Sequence, residues 1–389
     1  MTSLLPERTR TRADVVAAIQ ELQPRLAEGG FDADATNSDP TGNFALLHAV
    51  GAQVLFVPVE FGGLRGDEPD GWAAIIEAET AIGAGDGPTA QNWGTTALNA
   101  SEIFGAPDVP HEIKVEIADR ILTQNLRICA SNAETGVTAP TTARKVDGGI
   151  VVTGTKSFNT NSGGQGIANV GTAMEGETAR FHALIELTGP NIEQRHDWDN
   201  MGQRGTQSQT IAFQDVFVPD GRWFAAHPDP SLPAKALLLH AGLNQGIGQG
   251  ALIAALEYVR TMKRGSMRRF ANPAEDPLML RRIGDISTRV EAARALLFET
   301  ARRVDTMTPD VAGELFAAAC RSKVASVASS LFAAEQLFEL TGARATANTY
   351  RYDRFWRNAR TFASHDPIDS KQVIVGGFEL TGSVDFGLL

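Results

Sequence analysis

The chain has 389 residues, 43% of them hydrophobic, and a formal net charge of −11 at neutral pH. A chain of this length can bury a large core, and its acidic balance disfavours a nucleic-acid-binding surface, because phosphate groups need positive faces. Only two cysteines, Cys129 and Cys320, are present, so we expect no disulfide framework, no metal site and a cytoplasmic location. The stretch MTSLLPERTRTR lacks the apolar core of a signal peptide, and no stretch has the unbroken apolar length of a membrane span.

Apolar residues at helical spacing dominate the first third of the chain. They recur at residues 11–28, 42–52, 70–84, 88–104 and 110–123. The pattern changes after Leu126, where KVDGGIVVTGTKSF and TIAFQDVFVP are rich in Val, Ile, Thr and Phe, as strands are. The pair Asp147–Gly148 within the first of these stretches indicates a β-hairpin.

Long periodic stretches rich in Ala and Leu return after Pro233 and suit an antiparallel helical bundle. The sequence therefore predicts a mostly α-helical protein with a middle β-domain. We place an N-terminal helical domain at residues 1–125, the β-domain at 126–228 and a C-terminal helical bundle at 229–389.

The stretch GIGQGA at residues 246–251 formally fits the glycine fingerprint of dinucleotide-binding domains. That fingerprint requires a preceding strand, whereas the preceding stretch KALLLHAGLNQ has the pattern of a helix. We therefore interpret these small residues as a site of close helix–helix packing rather than as a nicotinamide site.

Two stretches of the predicted β-domain combine small polar side chains with strand ends. ICASNAETG contains residues 131–133, and GTKSFNTNSGG contains residues 158–162. Such residues present donors and acceptors of the kind that a flat, polar-edged ring requires along its rim. Ordinary turn chemistry explains the same composition, since Ser, Asn, Thr and Gly fill most loops.

Two arginines stand at helical spacing in the stretch EYVRTMKRGSMRRF. On the first helix of the predicted bundle, this spacing places Arg260 and Arg264 one turn apart on one face, where two guanidinium groups can hold a phosphate. The alternative is a solvated basic helix end that complements the helix dipole.

The predicted domain order and these motifs together resemble the acyl-CoA dehydrogenase fold, with its N-terminal helical domain, β-barrel-like middle domain and C-terminal four-helix bundle. GTKSFNTNSGG is similar to the G-x-K-x-W-I-T-N-G segment that lies along the flavin in that family. Phe158 stands in place of the Trp, while Thr160 and Asn161 match. SNAETGVTA stands where the dehydrogenases carry T-E-P-x-A-G-S-D, so their pattern for handling fatty acyl groups is absent.

A second resemblance points to one branch of the proteins that share this fold. TGARAT, followed by DRFWRNARTFASHDP at residues 353–367, is similar to the late signature of two-component flavin monooxygenases related to dibenzothiophene monooxygenase and to indole-oxidising enzymes. This resemblance implies a homotetramer that takes reduced flavin, FAD or FMN, from a separate NAD(P)H-dependent flavin reductase. It also implies that a C4a-hydroperoxyflavin hydroxylates an aromatic or electron-rich small molecule, such as an indole or a natural-product intermediate.

The same resemblance assigns roles to residues of this chain. His365 would lie near the reactive edge of the flavin and assist the hydroperoxide, since a histidine titrates near neutrality, with Ser162 and Ser131 as supporting hydrogen-bond donors. The implied flavin-binding residues are Ser131, Asn132, Ala133, Phe158, Asn159, Thr160, Asn161, Ser162, Arg260, Arg264, Arg344 and His365.

One departure from the relatives lies in the stretch TAQNWGTTAL. Gln91 stands where relatives carry a second active-site histidine, and Trp93 and Thr95 are the implied substrate contacts. Glutamine can hydrogen-bond a peroxide or a substrate but cannot transfer a proton at neutral pH. We therefore include Gln91 among the catalytic candidates and expect a substrate unlike a thiophene.

An acyl-CoA dehydrogenase needs a placed carboxylate to remove an acidic proton, and the positions that match the family's glutamate disfavour one here. The region that matches the family's usual Glu reads ASHDP, and residues 230–256 contain no acid. Asp366 precedes Pro367, which favours an extended backbone there. Three alternatives stay open: an acyl-CoA dehydrogenase with an unrecognised base, an amino-sugar N-oxygenase of the same fold, and a non-catalytic protein of this fold.

Overall fold

The computed structural model describes residues 10–66, 71–137, 140–164, 166–226, 229 and 231–385. Its first part is helical. The helices are α1 (Arg12–Glu21), α2 (Gln23–Thr36), α3 (Thr41–Ala49), α4 (Gly71–Gly85), α5 (Gly87–Gly105) and α6 (His111–Gln124). Side-chain caps fix two of the helix starts: Thr11 and Asp14 form a capping box on α1, and Asp86 accepts the backbone N–H of Thr89 at the start of α5.

The middle of the chain forms one sheet. Its strands are β1 (Arg127–Ser131), β2 (Thr142–Val146), β3 (Gly149–Lys156), β4 (Gly166–Met174), β5 (Arg180–Glu186), β6 (Ile192–Gln194), β7 (Ile211–Pro219) and β8 (Trp223–Ala225). The strand order is β6-β7-β3-β2-β4-β5-β8, with β1 parallel to β4. The predicted hairpin at Asp147–Gly148 is confirmed, since it joins antiparallel β2 and β3, with Gly148 at a φ of 76°.

Helices return after the sheet and pack as a bundle. They are α7 (Leu232–Thr261), α8 (Pro277–Val304), α9 (Ala312–Thr341), α10 (Asp353–Ala363) and α11 (Ile368–Thr381). A mostly helical chain with a middle sheet is thus confirmed, while the domain boundaries stay a prediction. Among the described residues, no helix combines the length and the apolar character that a membrane span requires.

Small residues let α7 approach α4 closely, as the GIGQGA interpretation predicted. Gly246 and Gly250 lie inside α7. A Cβ on Gly246 would lie 2.5 Å from the carbonyl oxygen of Thr80, and one on Gly250 would lie 2.3 Å from that of Ala84. Because both obstacles are backbone atoms of α4, the two helices can keep this spacing only with glycine at these positions.

We expect Gly250→Ala to destabilise the protein by about 1–3 kcal/mol, since the new methyl group has no room beside the backbone of α4. The matched control is Gly284→Ala in α8, where nothing lies within 4 Å of the new Cβ. There, alanine should stabilise the helix by roughly 0.5–1 kcal/mol. Urea unfolding of both variants measures the difference, and equal effects would contradict close packing at Gly250.

Candidate active site

A cavity of about 320 Å³ lies where α4, α5 and α7 meet the sheet and the end of α10. Part of the predicted site lines it, namely Gln91, Thr95, Asn132, Ala133, Phe158, Thr160 and His365. Apolar side chains supply much of the remaining wall, among them Leu98, Leu239, Leu243 and Phe362. A pocket of this size with apolar walls and a few convergent polar groups is typical of a small-molecule site.

The loop after β3 presents an aromatic ring to this cavity from a strained backbone. Phe158 has a φ of 51°, a conformation that bulky residues rarely adopt, and its side chain is 49% exposed. Asn161, at a φ of 74°, donates from its amide to the hydroxyl of Thr96 at 3.0 Å and so ties the loop to α5. Strain of this kind persists only where the surroundings enforce it, and it is common at ligand sites.

Other predicted residues lie behind this loop rather than in the cavity wall. The buried Ser131 hydroxyl donates to the Asn159 side-chain oxygen at 2.6 Å, and the Ser162 hydroxyl donates to the Gln207 carbonyl at 2.7 Å. Along with Asn161, these side chains fix the loop from beneath. Their direct contacts with flavin stay predictions.

A buried ion pair joins the two polar motifs of the sheet. Lys156, from GTKSF, is fully buried, and its ammonium lies 2.5 Å from a carboxylate oxygen of Glu134, from SNAETG. A buried ammonium is tolerated only with such a partner. The pair therefore explains why a lysine and a glutamate stand in these motifs, and it sets the spacing of the loops that border the cavity.

Helix α5 presents Gln91 and Thr95 to the cavity, but not Trp93. The Gln91 amide donates to the Thr160 hydroxyl at 3.3 Å, while its oxygen accepts from the Gln203 amide at 2.7 Å. Thr95 lies one turn further along the same face of the helix. Trp93, two residues from Gln91, points the other way and packs against Phe56 at 5.3 Å between ring centroids.

Two histidines meet at the cavity, and the sequence analysis found only one of them. The ring centroids of His240 and His365 are 5.2 Å apart, and both rings pack on Phe362. His240 comes from α7, where the sequence showed it only as an interruption of an apolar stretch. The signal that could have found it is a lone imidazole within KALLLHAGL, on a helix that faces a cavity.

Both imidazoles favour the neutral form. Burial lowers the pKa of His240 well below its usual range, and the charges of Lys323 and Lys371 act in the same direction. Desolvation and Lys323 also lower the pKa of His365, although the carboxylate of Asp366 opposes them. His365 therefore titrates at a lower pH than the sequence argument assumed.

Asp366 is held between two ammonium groups. Its carboxylate oxygens lie 2.6 Å from Nζ of Lys323 and 2.6 Å from Nζ of Lys371. Burial alone would raise the pKa of Asp366, but the two lysines outweigh it and lower that pKa. A carboxylate bound in this way is a poor base, which further disfavours a dehydrogenase built on Asp366.

Helix α10 places His365 by reaching back to the start of the chain. The Arg357 guanidinium forms two hydrogen bonds, of 2.9 and 2.7 Å, with the buried carboxylate of Asp34 in α2. The side-chain oxygen of Asn358 accepts the backbone N–H of Gln203 at 2.7 Å. The segment DRFWRNARTFASHDP thus folds over the cavity rather than forming a solvated terminus.

The structure corrects the expected placement of the two phosphate-binding arginines. Helix α7 ends at Thr261, and Met262 has an extended backbone, so Arg260 and Arg264 do not share a helical face. Asp276 holds the loop that follows α7, because its carboxylate accepts a hydrogen bond from the backbone N–H of Met267 at 2.8 Å. Both arginines, like Arg344, are exposed, outside the cavity wall, and their phosphate contacts stay predictions.

The sequence analysis also missed a carboxyl group in the cavity wall. Glu79 of α4 is 1% exposed and lines the cavity, far along the chain from the positions at which the family carries its glutamate base. Its signal was a pair of glutamates, Glu77 and Glu79, in the otherwise largely apolar stretch WAAIIEAETAIGAG. Within the part of the chain that the structure describes, no cluster of three or more potential metal ligands occurs.

Comparisons with known proteins agree with the resemblance drawn from the motifs. The family model for the acyl-CoA dehydrogenase C-terminal domain matches residues 238–370. Dibenzothiophene monooxygenase of Rhodococcus erythropolis is 29% identical over 98% of each chain. The probable FMNH2-dependent monooxygenase SfnC of Pseudomonas putida is 29% identical over 91% of each chain.

The solved structure of TdsC from Paenibacillus sp. A11-2, in complex with FMN and indole, superimposes on this chain with a TM-score of 0.85. It is 24% identical, and the match covers 95% of this chain and 98% of TdsC. The predicted acyl-CoA dehydrogenase fold is thereby confirmed, as is the resemblance to flavin-dependent monooxygenases.

We expect the neutral His240 to make the protein less stable in acid. Because its pKa is lower in the folded than in the unfolded state, the unfolded chain binds more protons once the pH falls through the unfolded value of about 6.5. The free energy of unfolding should then decrease as the pH is lowered, by at most about 1.4 kcal/mol per pH unit for one proton.

Replacing His240 with asparagine should weaken this pH dependence, which urea unfolding at pH 7.5 and 5.5 measures. His111→Asn, at the exposed start of α6, is the matched control. An unchanged pH dependence in His240→Asn would contradict a neutral imidazole at this position.

Proposed function

We propose that this chain, a flavin-dependent monooxygenase of the acyl-CoA dehydrogenase fold, oxygenates an aromatic or otherwise electron-rich small molecule such as an indole. The observation that carries the proposal is the cavity in which the strained Phe158 loop, the Gln91–Thr160 pair and the two histidines meet. Its O2 and reduced flavin come from solution.

The residues around the cavity fit a flat ring with a polar rim. The face of Phe158 and the leucines of α7 offer apolar surface, while Gln91 and Thr160 offer donors and acceptors at one edge. The imidazole of His240 leaves its Nδ1 buried and without a hydrogen-bond partner among the described residues. When bound, reduced flavin supplies the two electrons that the activation of O2 requires.

In this proposal His365 works as a neutral imidazole. One of its nitrogens donates a hydrogen bond and the other accepts one, so it can hold a proton beside the reacting atoms and take it back. Stacking on Phe362 and the edge-on ring of His240 fix its orientation. His240 thus acts as a positioning residue. It takes the place of the second active-site histidine of the relatives, which in this chain is replaced by Gln91.

The electrons come from a separate NAD(P)H-dependent flavin reductase in this proposal. GIGQGA lies in the middle of α7 and packs against α4, so it does not open a strand-to-helix turn that could bind a nicotinamide. The similar protein SfnC is named as FMNH2-dependent, which agrees with a flavin that arrives already reduced.

The expected homotetramer and flavin-phosphate site also belong to the proposal. Val373 and Leu380 are 58% and 87% exposed, two helical turns apart on α11, and an apolar face of this kind suits a subunit contact. Arg260 and Arg264 form no ion pair with a described residue and so remain available to a phosphate. Arg344 would make a further polar contact with flavin.

We expect His365→Ala to lower product formation by roughly 10²-fold or more, the scale of general acid–base assistance, while folding and flavin binding stay near wild type. His365→Gln, which keeps a hydrogen-bond donor and acceptor, should retain more activity than the alanine variant. Steady-state turnover with enzymatically reduced flavin measures both. Wild-type turnover in His365→Ala would exclude the role assigned to this residue.

We also expect the purified protein to be inactive with NADH, oxidised flavin and substrate, because nothing in the proposed site binds a nicotinamide. Addition of an unrelated flavin reductase should start product formation, which chromatography of the products measures. Rapid NADH oxidation coupled to oxygenation by this chain alone would contradict the two-component proposal. Bleaching of bound flavin by acyl-CoA thioesters without O2 would instead support the dehydrogenase alternative.

A further inference from the structure

Glu79 occupies a slot that two glycines leave open. A Cβ on Gly94 of α5 would lie 2.7 Å from Oε1 of Glu79, and a Cβ on Gly242 of α7 would lie 3.3 Å from its Cγ. The side chain therefore passes between two helices that carry no side chain at the points of closest approach. It ends in the wall of the cavity.

Nothing in the described protein satisfies this carboxyl group. Its Oε2 is buried and has no hydrogen-bond partner among the described residues, and none of their ion pairs includes Glu79. Burial without a nearby cation also raises its pKa well above the usual range. A buried polar atom without a partner is costly, so its retention in a cavity wall points to a partner on the ligand.

The position of Glu79 favours the substrate over the flavin as that ligand. Apart from His365, the cavity residues that the resemblance assigns to the flavin come from the sheet side, namely Asn132, Ala133, Phe158 and Thr160. Glu79 instead belongs to the helical wall, together with Leu98 of α5 and Leu239 and Leu243 of α7. Its carboxyl group is thus a polar point on an apolar surface that suits an aromatic ring.

We propose that Glu79 sets the substrate preference of the cavity by accepting a hydrogen bond from the ring N–H of a heteroaromatic substrate. This inference rests on the proposed function and narrows its substrate class. A carboxyl group keeps an accepting oxygen in both of its protonation states. An otherwise similar ring with sulfur in place of N–H leaves that oxygen without a partner, and polar sites reject such analogues strongly.

The test compares the binding of three bicyclic compounds of similar size: indole, 1-methylindole and benzothiophene. Calorimetric titration of the full chain, saturated with oxidised FMN, should give an indole dissociation constant at least about 10-fold lower than those of the other two, the scale of one hydrogen bond. Since the readout is binding, it needs neither O2 nor turnover.

Two variants of Glu79 distinguish the effect of its hydrogen bond on substrate binding from the effect of its side-chain volume. Glu79→Gln keeps an accepting oxygen and should retain the preference for indole. Glu79→Leu removes it and should bring the three dissociation constants to within about 2-fold of one another, with benzothiophene bound no more weakly than by wild type. Gly94→Ala, which intrudes on the carboxyl group without changing its charge, should reduce the preference as well.

Several results would overturn the inference. They are an undiminished preference in Glu79→Leu, equal binding of the three compounds by wild type, and failure of wild type to bind any of them. A loss of FMN affinity in Glu79→Leu as large as the loss of indole affinity would assign the group to the flavin instead. The proposed function is judged separately, by reductase-dependent product formation with the wild-type chain.

Discussion

The site depends on one carboxylate shared by two lysines. The carboxylate of Asp366, which directly follows His365 in the chain, binds the ammonium groups of Lys323 in α9 and Lys371 in α11, each at 2.6 Å. Lys323 is only 1% exposed, so its charge is tolerable only while this carboxylate neutralises it. The same group of charges carries one positive charge in excess, which adds to the larger effect of burial in lowering the pKa of His240 and His365. This contact therefore helps to fix where His365 lies, and together with burial it favours the neutral imidazole.

This contact also removes Asp366 as a candidate base for the dehydrogenase chemistry that the fold can host. Removal of an acidic proton needs a free carboxylate over the ring, and here the carboxylate at that end of the chain is bound to ammonium groups. An oxygenase needs a mostly apolar cavity with a few hydrogen-bonding groups, and the cavity lined by Phe362, Leu243 and the two histidines has this character.

Local patterns in the sequence predicted the structural features that depend on residues close together in the chain. Periodicity indicated the helices, the pair Asp147–Gly148 indicated its hairpin, and GIGQGA was interpreted as helix packing. The pairing of His240 with His365 and the position of Glu79 depend on the packing of α4, α7 and α10, which no local pattern encodes. The end of α7 before Arg264 was missed for a similar reason, because Asp276, farther along the chain, pins the loop that follows.

The bond between Arg357 and Asp34 joins residues that stand 323 positions apart in the chain. Contacts of such long sequence separation form late, because the loop entropy they cost is recovered only after the intervening parts have folded. During synthesis the helices of the first third and the sheet leave the ribosome well before α10 does. The cavity is therefore completed only after α10 has been translated. A chain that stops before α10 would carry the helices of the first third and the sheet but no finished cavity, so a complete site forms only in molecules whose synthesis has passed α10.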